Sequence, residues 1–289
     1  MKSISTGRYC TLVSLMKIIH QVHPQDFIGY STQQIRDNFL LQDLVQPDKI
    51  ECAYTHYDRM IVGAAYPVGL SLQLQTYDQL KMPHFLTRRE MGIINIGGSG
   101  IVSVDGEKYA MEKFDCLYIG KGKEEIIFNQ SNDGAKFIFF SCPAHQEYPT
   151  RLMKPADALP AELGSLENNN HRTINKYVHN DGIKSCQLVM GVTTFKHGSI
   201  WNTMPPHTHD RRSELYFYFD LAKGQRIIHF MGEPHETRHI FLNNEEAVAS
   251  PPWSIHCGTA TGNYSFIWAM AGENMEFTDM DAVKIEDLR

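Results

Sequence analysis

The sequence predicts an all-β protein: two barrel- or sandwich-like β units behind a short helical N-terminal arm. Three observations carry this. From about residue 52 onward, short runs rich in Val, Ile, Tyr and Phe are broken at close intervals by Gly, Pro, Asn and Asp, the punctuation of strands and tight turns. That texture stops within residues 143–170 and resumes from Thr173 to about Ala271, so it belongs to two units. Two nine-residue segments, one from each unit, also align without a gap. Pro83-His84-Phe85-Leu86-Thr87-Arg88-Arg89-Glu90-Met91 and Pro206-His207-Thr208-His209-Asp210-Arg211-Arg212-Ser213-Glu214 share the Pro, the first His and both arginines.

Residues 1–15 hold Lys2, Arg8 and the apolar stretch Cys10-Thr11-Leu12-Val13. A signal peptide needs a longer apolar core and a small-residue cleavage site. Met16 is a candidate initiator, with residues 1–15 then an upstream extension; N-terminal sequencing of natively expressed protein tests this. Residues 16–50 form the arm. There Ser31-Thr32-Gln33-Gln34-Ile35 has the pattern of a helix start, with Ser31 as N-cap and Gln34 reaching back to it. Residues 51–150 form the first β unit, with apolar runs at 60–63, 92–96, 101–104 and 126–128 and a hairpin signal at Val104-Asp105-Gly106-Glu107. The connector over 143–170 ends in Glu167-Asn168-Asn169-Asn170, polar enough for a surface loop. Residues 171–275 form the second unit. The charged tail, 276–289, is expected to add a short strand or helix.

Bulk composition excludes several classes of function. Hydrophobic residues make up 42% and charged residues 21%, an ordinary globular balance. The net charge is -6, with no Lys/Arg cluster longer than a pair, so a nucleic-acid partner is not expected. No apolar run approaches the roughly 20 residues of a membrane span. The six cysteines, Cys10, Cys52, Cys116, Cys142, Cys186 and Cys257, are scattered without a CxxC pair and read as reduced thiols of a cytoplasmic protein.

The second unit carries the candidate chemistry. His207 and His209 lie two apart, so on a strand both imidazoles project from one face, about 7 Å apart at Cα, and can reach one ion. Glu214 stands at an odd offset from His209. Asp210-Arg211-Arg212-Ser213 suits a turn, so Glu214 opens the next strand and its side is reset. On that strand Glu214, Tyr216 and Tyr218 share one face, and Leu215, Phe217 and Phe219 the other. His256 is framed by Pro251-Pro252 and Cys257-Gly258, a rigid entry that metal–nitrogen distances require. An HxH pair alone is often two polar residues facing water; Glu214 and the framed His256 turn the reading toward a metal. Three imidazoles and a carboxylate suit Zn, Mn, Fe or Ni, and ligand type does not choose among them. A set without Cys, with room for an open position, points to a catalytic ion. His171, His179, His197, His229, His235 and His239 lack such framing and read as surface or hydrogen-bonded, with His239 the first exception to consider. In the first unit Leu86 and Met91 stand where the second His and the Glu would be. As a duplicate, that unit has lost the metal and serves as scaffold or interface.

This arrangement of HxH, spacer, Glu and a Pro-framed His resembles the two motifs of the cupin superfamily. There are departures: Trp253 stands where the second motif, P-x-G-x-x-H, has Gly, and the glycine expected after Glu214 is displaced to Gly224. Further segments are Arg172-Thr173-Ile174-Asn175-Lys176-Tyr177, Trp201-Asn202-Thr203-Met204-Pro205 and Glu236-Thr237-Arg238-His239. The first half adds Ile94-Asn95-Ile96-Gly97-Gly98 and Tyr118-Ile119-Gly120-Lys121-Gly122. With these the chain closely resembles the 5-keto-4-deoxyuronate isomerase family over about residues 16–289. The resemblance implies a tandem cupin fold, two jelly-roll β-barrels with only the C-terminal one metallated. It implies zinc on His207, His209, Glu214 and His256, and a homo-oligomer, commonly a hexamer. It also implies interconversion of 4-deoxy-L-threo-5-hexosulose uronate and 3-deoxy-D-glycero-2,5-hexodiulosonate, a keto-uronate substrate derived from pectin breakdown.

An aldose–ketose shift moves a proton between adjacent carbons while negative charge grows on oxygen. A metal would stabilise that charge, and a base would carry the proton. Tyr216, Lys176 and Glu236 are the candidate catalytic residues, with Tyr218 and His239 also open; a metal-mediated hydride shift would need none of them. A carboxylate substrate calls for an arginine fork from Arg172, Arg212 or Arg238, each equally readable as a surface or inter-strand salt bridge. Trp253 is a candidate apolar wall against the deoxy carbon, or a core Trp. Two other readings keep the fold: an Fe(II) dioxygenase, which would consume oxygen, and a non-catalytic sugar-binding cupin.

Overall fold

The computed structural model describes residues 16–273, 275–276 and 278–289. The candidate extension, 1–15, and with it Cys10, lie outside the described residues. Each β unit pairs a seven-stranded sheet with a smaller one. The first large sheet has the spatial order Lys17–Ile19, Ile50–Thr55, Ile61–Ala65, Phe137–Pro143, Arg89–Asn95, Cys116–Ile119, Arg151–Met153. The second has the order Ala161–Leu163, Arg172–Val178, Val189–Phe195, Ser265–Gly272, Arg212–Phe219, Glu246–Ser250, Leu40–Leu41. The two orders correspond place for place. Arg89–Asn95 and Arg212–Phe219 both hold the fifth position, and each begins at the second arginine of the aligned segments. The alignment read from the sequence is therefore a structural equivalence, and the fold is the tandem cupin expected.

Strand alternation explains how two barrels become one body. In Arg89–Asn95, Met91 and Ile93 point into the first barrel, where they meet Val102, Phe128 and Phe139 in its own core. Ile94 on the opposite face joins a second cluster with Tyr118, Phe140, Met190, Leu215 and Phe217. The two large sheets thus pack face to face, and the apolar face of Arg212–Phe219 buries against the other barrel. Gly92 marks the closest approach: a Cβ there would stand 2.4 Å from Met190 Cε.

Glu90 adds a polar staple across the same interface. It is fully buried and accepts from the Tyr118 hydroxyl at 2.7 Å and from the backbone N–H groups of Cys186, Gln187 and Leu188 at 2.7, 2.8 and 2.9 Å. A loop of the second unit is therefore capped by a carboxylate of the first.

The arm is only partly helical. Its helix Thr32–Phe39 starts where expected: Ser31 Oγ accepts from the Gln34 N–H and Gln34 accepts from the Ser31 N–H, a complete capping box. The arm also lends Lys17–Ile19 to the first sheet and Leu40–Leu41 to the second, lacing both units. The connector does more than loop. Arg151–Met153 extends one sheet and Ala161–Leu163 the other, because each sheet leaves an edge that a passing segment can pair. The predicted hairpin closes between Gly100–Val104 and Glu107–Met111, with Asp105 and Gly106 at φ 47° and 85°. The tail supplies the strand Asp281–Ala282 and a short 3-10 turn, Ile285–Asp287. The five described cysteines are free thiols, four of them buried. Among the described residues no helix is long and apolar enough to cross a membrane.

Candidate metal centre

The four candidate side chains, His207, His209, Glu214 and His256, converge. His207 opens the strand His207–Thr208, and His209 follows it into a turn closed by the Arg212 N–H on the His209 carbonyl. Glu214 lies on Arg212–Phe219, and His256 directly precedes the strand Cys257–Ala260. One ligand atom from each lies within 4.8 Å of every other. The turn reset the side of Glu214 as its spacing required, so that Glu214 Oε2 sits 3.2 Å from His209 Nε2 and 3.0 Å from His256 Nε2. His207 Nε2 is 2.9 Å from His256 Nε2.

Ring orientation shows what the cluster can hold. His209 Nδ1 donates to the Arg212 carbonyl at 2.8 Å, and His256 Nδ1 faces the Ser254 carbonyl at 3.4 Å. A carbonyl only accepts, so in the neutral rings the proton belongs on Nδ1 and the Nε2 lone pair faces the cluster. Burial, then the neighbouring His256, pushes the His207 imidazole down to about 3, against the pull of Glu214. Burial alone would raise Glu214, but His256 and His209 outweigh it and hold the carboxylate below its ordinary range. A neutral His207 imidazole and an ionised Glu214 carboxylate, converging with the ring nitrogens of His209 and His256, fit a cation. Ligands 2.0–2.1 Å from one ion stand roughly 3 Å apart, as do His209 with Glu214, His256 with Glu214 and His207 with His256.

The cluster reaches the wall of a cavity of about 290 Å³ through His207 and Glu214, near the lower end for small-molecule sites. Arg172, Arg212, Thr203, Tyr216 and His207 line it on the polar side, with Trp268, Phe266, Met204 and Met280 among its apolar walls. A wider hollow of about 470 Å³ lies between the arm and the first sheet, bounded by Lys17, Asp43 and Glu51. No cluster of three or more metal-ligating groups occurs there among the described residues.

The structure sorts the remaining candidates. Tyr216 lines the cavity with its hydroxyl 3.3 Å from Thr203 Oγ1. Burial, then the charge of Glu214, raises its phenol well above the usual range, which makes it a hydrogen-bond donor rather than a base. Tyr218 lies deeper, its hydroxyl 2.8 Å from His229 Nδ1. His229 is therefore a buried, hydrogen-bonded histidine, and burial with the nearby His256 pushes it down to about 3. Arg212 is buried, with Nη1 and Nη2 donating to the carbonyls of Glu276 and Asp279. Arg211 pairs with Asp279 and Asp281. These contacts strap the tail over the strand bearing His207, with Asp281–Ala282 pairing His207–Thr208 and Met280 reaching the cavity. Arg172 donates to the Asn170 carbonyl and meets no carboxylate within ion-pair distance among the described residues.

Lys176, Glu236, Arg238 and Trp253 do not line the cavity. Glu236 and Arg238 pair with each other at 2.6 Å, and Arg238 donates to the Ile28 carbonyl of the arm. The Trp253 indole donates to the Val22 carbonyl and packs tilted against Phe27 and edge-on against Phe39. The docked arm claims Arg238 and Trp253, and Arg238 in turn holds Glu236. Lys176 lies on Arg172–Val178 where the strand register shifts, past Arg172 and Ile174 on the cavity. His239 is exposed. Thr203, Trp268 and Met280 had drawn no role from the sequence. The Arg211-Arg212 pair facing an acidic tail was the one available signal for Met280; Thr203 and Trp268 had none.

A family model described as the KduI/IolB family matches residues 44–286. The chain belongs to the KduI/IolB family. Relatives within reach of this family are close. The 4-deoxy-L-threo-5-hexosulose-uronate ketol-isomerase of Halalkalibacterium halodurans is 53% identical over 268 residues, covering 92% of this chain and 97% of the relative. The protein of the same name from Shouchella clausii is 50% identical over 276 residues, covering 95% and 100%. Among solved structures, an IolB-like protein from Salmonella typhimurium LT2 superimposes with a TM-score of 0.62 at 14% identity, covering 95% of each chain. Oxalate decarboxylase of Bacillus subtilis gives 0.53 at 12%, covering 77% of this chain and 71% of its own. At such identities these two share the fold.

Proposed function

We propose that this KduI/IolB chain is a metal-dependent isomerase that interconverts 4-deoxy-L-threo-5-hexosulose uronate and 3-deoxy-D-glycero-2,5-hexodiulosonate. The observation that carries it is the convergence of His207, His209, Glu214 and His256, with His207 and Glu214 on the wall of a small-molecule cavity, in a chain half identical to named ketol-isomerases.

His207, His209, Glu214 and His256 would hold the ion, zinc by family resemblance, with Mn, Fe and Ni compatible with the same donors. When bound, the ion supplies Lewis acidity toward the oxygens on which negative charge grows as a proton leaves C2 and C1 is protonated. The residues do the rest. The buried Tyr216 hydroxyl donates a hydrogen bond to a substrate oxygen. Arg172 binds the uronate carboxylate, because it is the cavity guanidinium not committed to the tail or the arm. Trp268, Phe266 and the methionines exclude water and face the deoxy carbon. The substrate reaches the cell from pectin breakdown, the enzyme works in the cytoplasm, and copies associate, as hexamers by resemblance.

The test is conversion of the keto-uronate by purified protein with its metal content measured, alongside His256→Ala. Expected is turnover in the wild type and a loss on the order of 10³-fold in the variant, with metal content falling in step. A metal-loaded wild type that leaves the keto-uronate unchanged, or that consumes oxygen instead, sinks the proposal. Turnover in D2O separates proton transfer, which puts deuterium into product, from a hydride shift, which does not.

A further inference from the structure

Thr203 occupies a backbone conformation that its side chain disfavours. Its φ is +49°, in the left-handed region where Gly and Asn are at home and a β-branched residue is an outlier. Its neighbours impose this. Asn202 exchanges backbone hydrogen bonds with Gly258 in both directions, at 2.9 and 3.3 Å, and its side chain donates to the Tyr264 hydroxyl at 2.7 Å. On the other side the Pro206 carbonyl is held by the Val283 N–H of the tail. The chain between these anchors has little freedom, yet a glycine would have met the requirement. What threonine adds is a hydroxyl, and that hydroxyl lies 3.3 Å from the phenol of Tyr216 on the cavity wall. Tyr216 in turn sits two residues from Glu214, its ring 5.7 Å from that of His256.

We propose that Thr203 is a positioning residue: its constrained backbone presents a hydroxyl to Tyr216 and fixes the direction in which the phenol hydrogen-bonds into the cavity. Strain kept at one residue of a cavity wall is the pattern expected where geometry serves chemistry. By donating to the phenol oxygen, the threonine leaves the phenol O–H directed at the bound molecule. Thr203 itself touches no reacting atom in this scheme. The catalytic half rests on the isomerase reading; the structural half does not.

Four variants test it: Thr203→Ser, Thr203→Val, Thr203→Gly and Tyr216→Phe, with the Thr203→Val/Tyr216→Phe double variant closing a cycle. Thr203→Val is expected to lower kcat by about tenfold or more with KM changed much less, and Thr203→Ser to recover most of that loss. Thr203→Gly, which loses the hydroxyl but suits the backbone, should lower kcat while unfolding at a temperature no lower than wild type. The double variant should be no worse than the poorer single one, since the two hydroxyls act as a unit. Full kcat in Thr203→Val, a clear drop in Tm for Thr203→Gly, or additive effects in the cycle would each overturn the proposal. The same cycle read in unfolding midpoints needs no turnover, so a wild type inactive on the keto-uronate would sink the isomerase reading while the coupling of the two hydroxyls is still decided.

Discussion

In the first barrel the strand that begins at Arg89 turns Met91 and Ile93 inward, against Leu86, Phe128 and Phe139. In the second, the strand that begins at Arg212 turns Glu214, Tyr216 and Tyr218 inward, where His209, His256 and His229 meet them. The strand order is the same; the interiors are opposites. One is filled with side chains that need no partner, and the other keeps a cavity and a cluster of polar side chains. His84, the counterpart of His207, is half exposed, with Glu124 3.8 Å away. Glu125, directly before the strand Ile126–Phe128, is on the surface. The lesson is that a jelly roll tolerates either filling. Hydrophobic burial stabilises the first unit directly. The second gives up part of that stabilisation for a site, and recovers support by packing its outer face against the first.

The sharpest way to break this comparison is to put a ligand back. Met91→Glu would bury a carboxylate among apolar side chains, with Leu86 in place of a histidine. We expect a loss of more than about 4 kcal/mol, read as a collapsed denaturation midpoint; a stable variant would show the first barrel to be more accommodating than its packing implies. Next in size is the staple. Glu90→Ala leaves three backbone N–H groups and the Tyr118 hydroxyl without their acceptor, for a loss of about 3 kcal/mol or more in urea unfolding. A neutral result would mean that the interface relaxes around the gap.

The pH response should distinguish the barrels next. His229 and His207 sit at about 3 in the folded protein, against about 6.5 in an unfolded chain. Between those values the unfolded chain binds the extra protons, so stability is intact above pH 6.5 and falls as pH drops toward 3. The expected slope is about 1.4 kcal/mol per pH unit for each fully buried histidine, less for the half-buried His207. The first barrel's core contains no such histidine among the described residues. All three tryptophans, Trp201, Trp253 and Trp268, lie in the second unit, so their emission should report this acid sensitivity, and His229→Gln should flatten the slope by about one proton. An unchanged slope would remove His229 from the account. The smallest effect belongs to the arm that laces the two units: Ser31→Ala should cost about 1 kcal/mol through the lost cap, measured by thermal unfolding, with metal content unaffected.

Much of this was legible along the chain. Periodicity and turn residues set out two β units, as at Val104-Asp105-Gly106-Glu107, and Ser31 with Gln34 marked a helix start, because these signals act between residues a few positions apart. The meeting of His207, His209, Glu214 and His256 was legible too: the spacing of His207 and His209 puts them on one strand face, and prolines frame His256. The choice among arginines was not. Arg172, Arg212 and Arg238 look alike in sequence, and only the packed tail and arm show which guanidiniums are already committed. Trp253 and Arg238 were drawn off by an arm more than 200 residues away, Met280 was brought in by the tail, and Thr203 acquired its conformation from anchors on either side. Local chemistry is written in neighbouring residues, whereas a side chain's partner across the fold depends on which distant surfaces come together, and that is decided when the sheets pack.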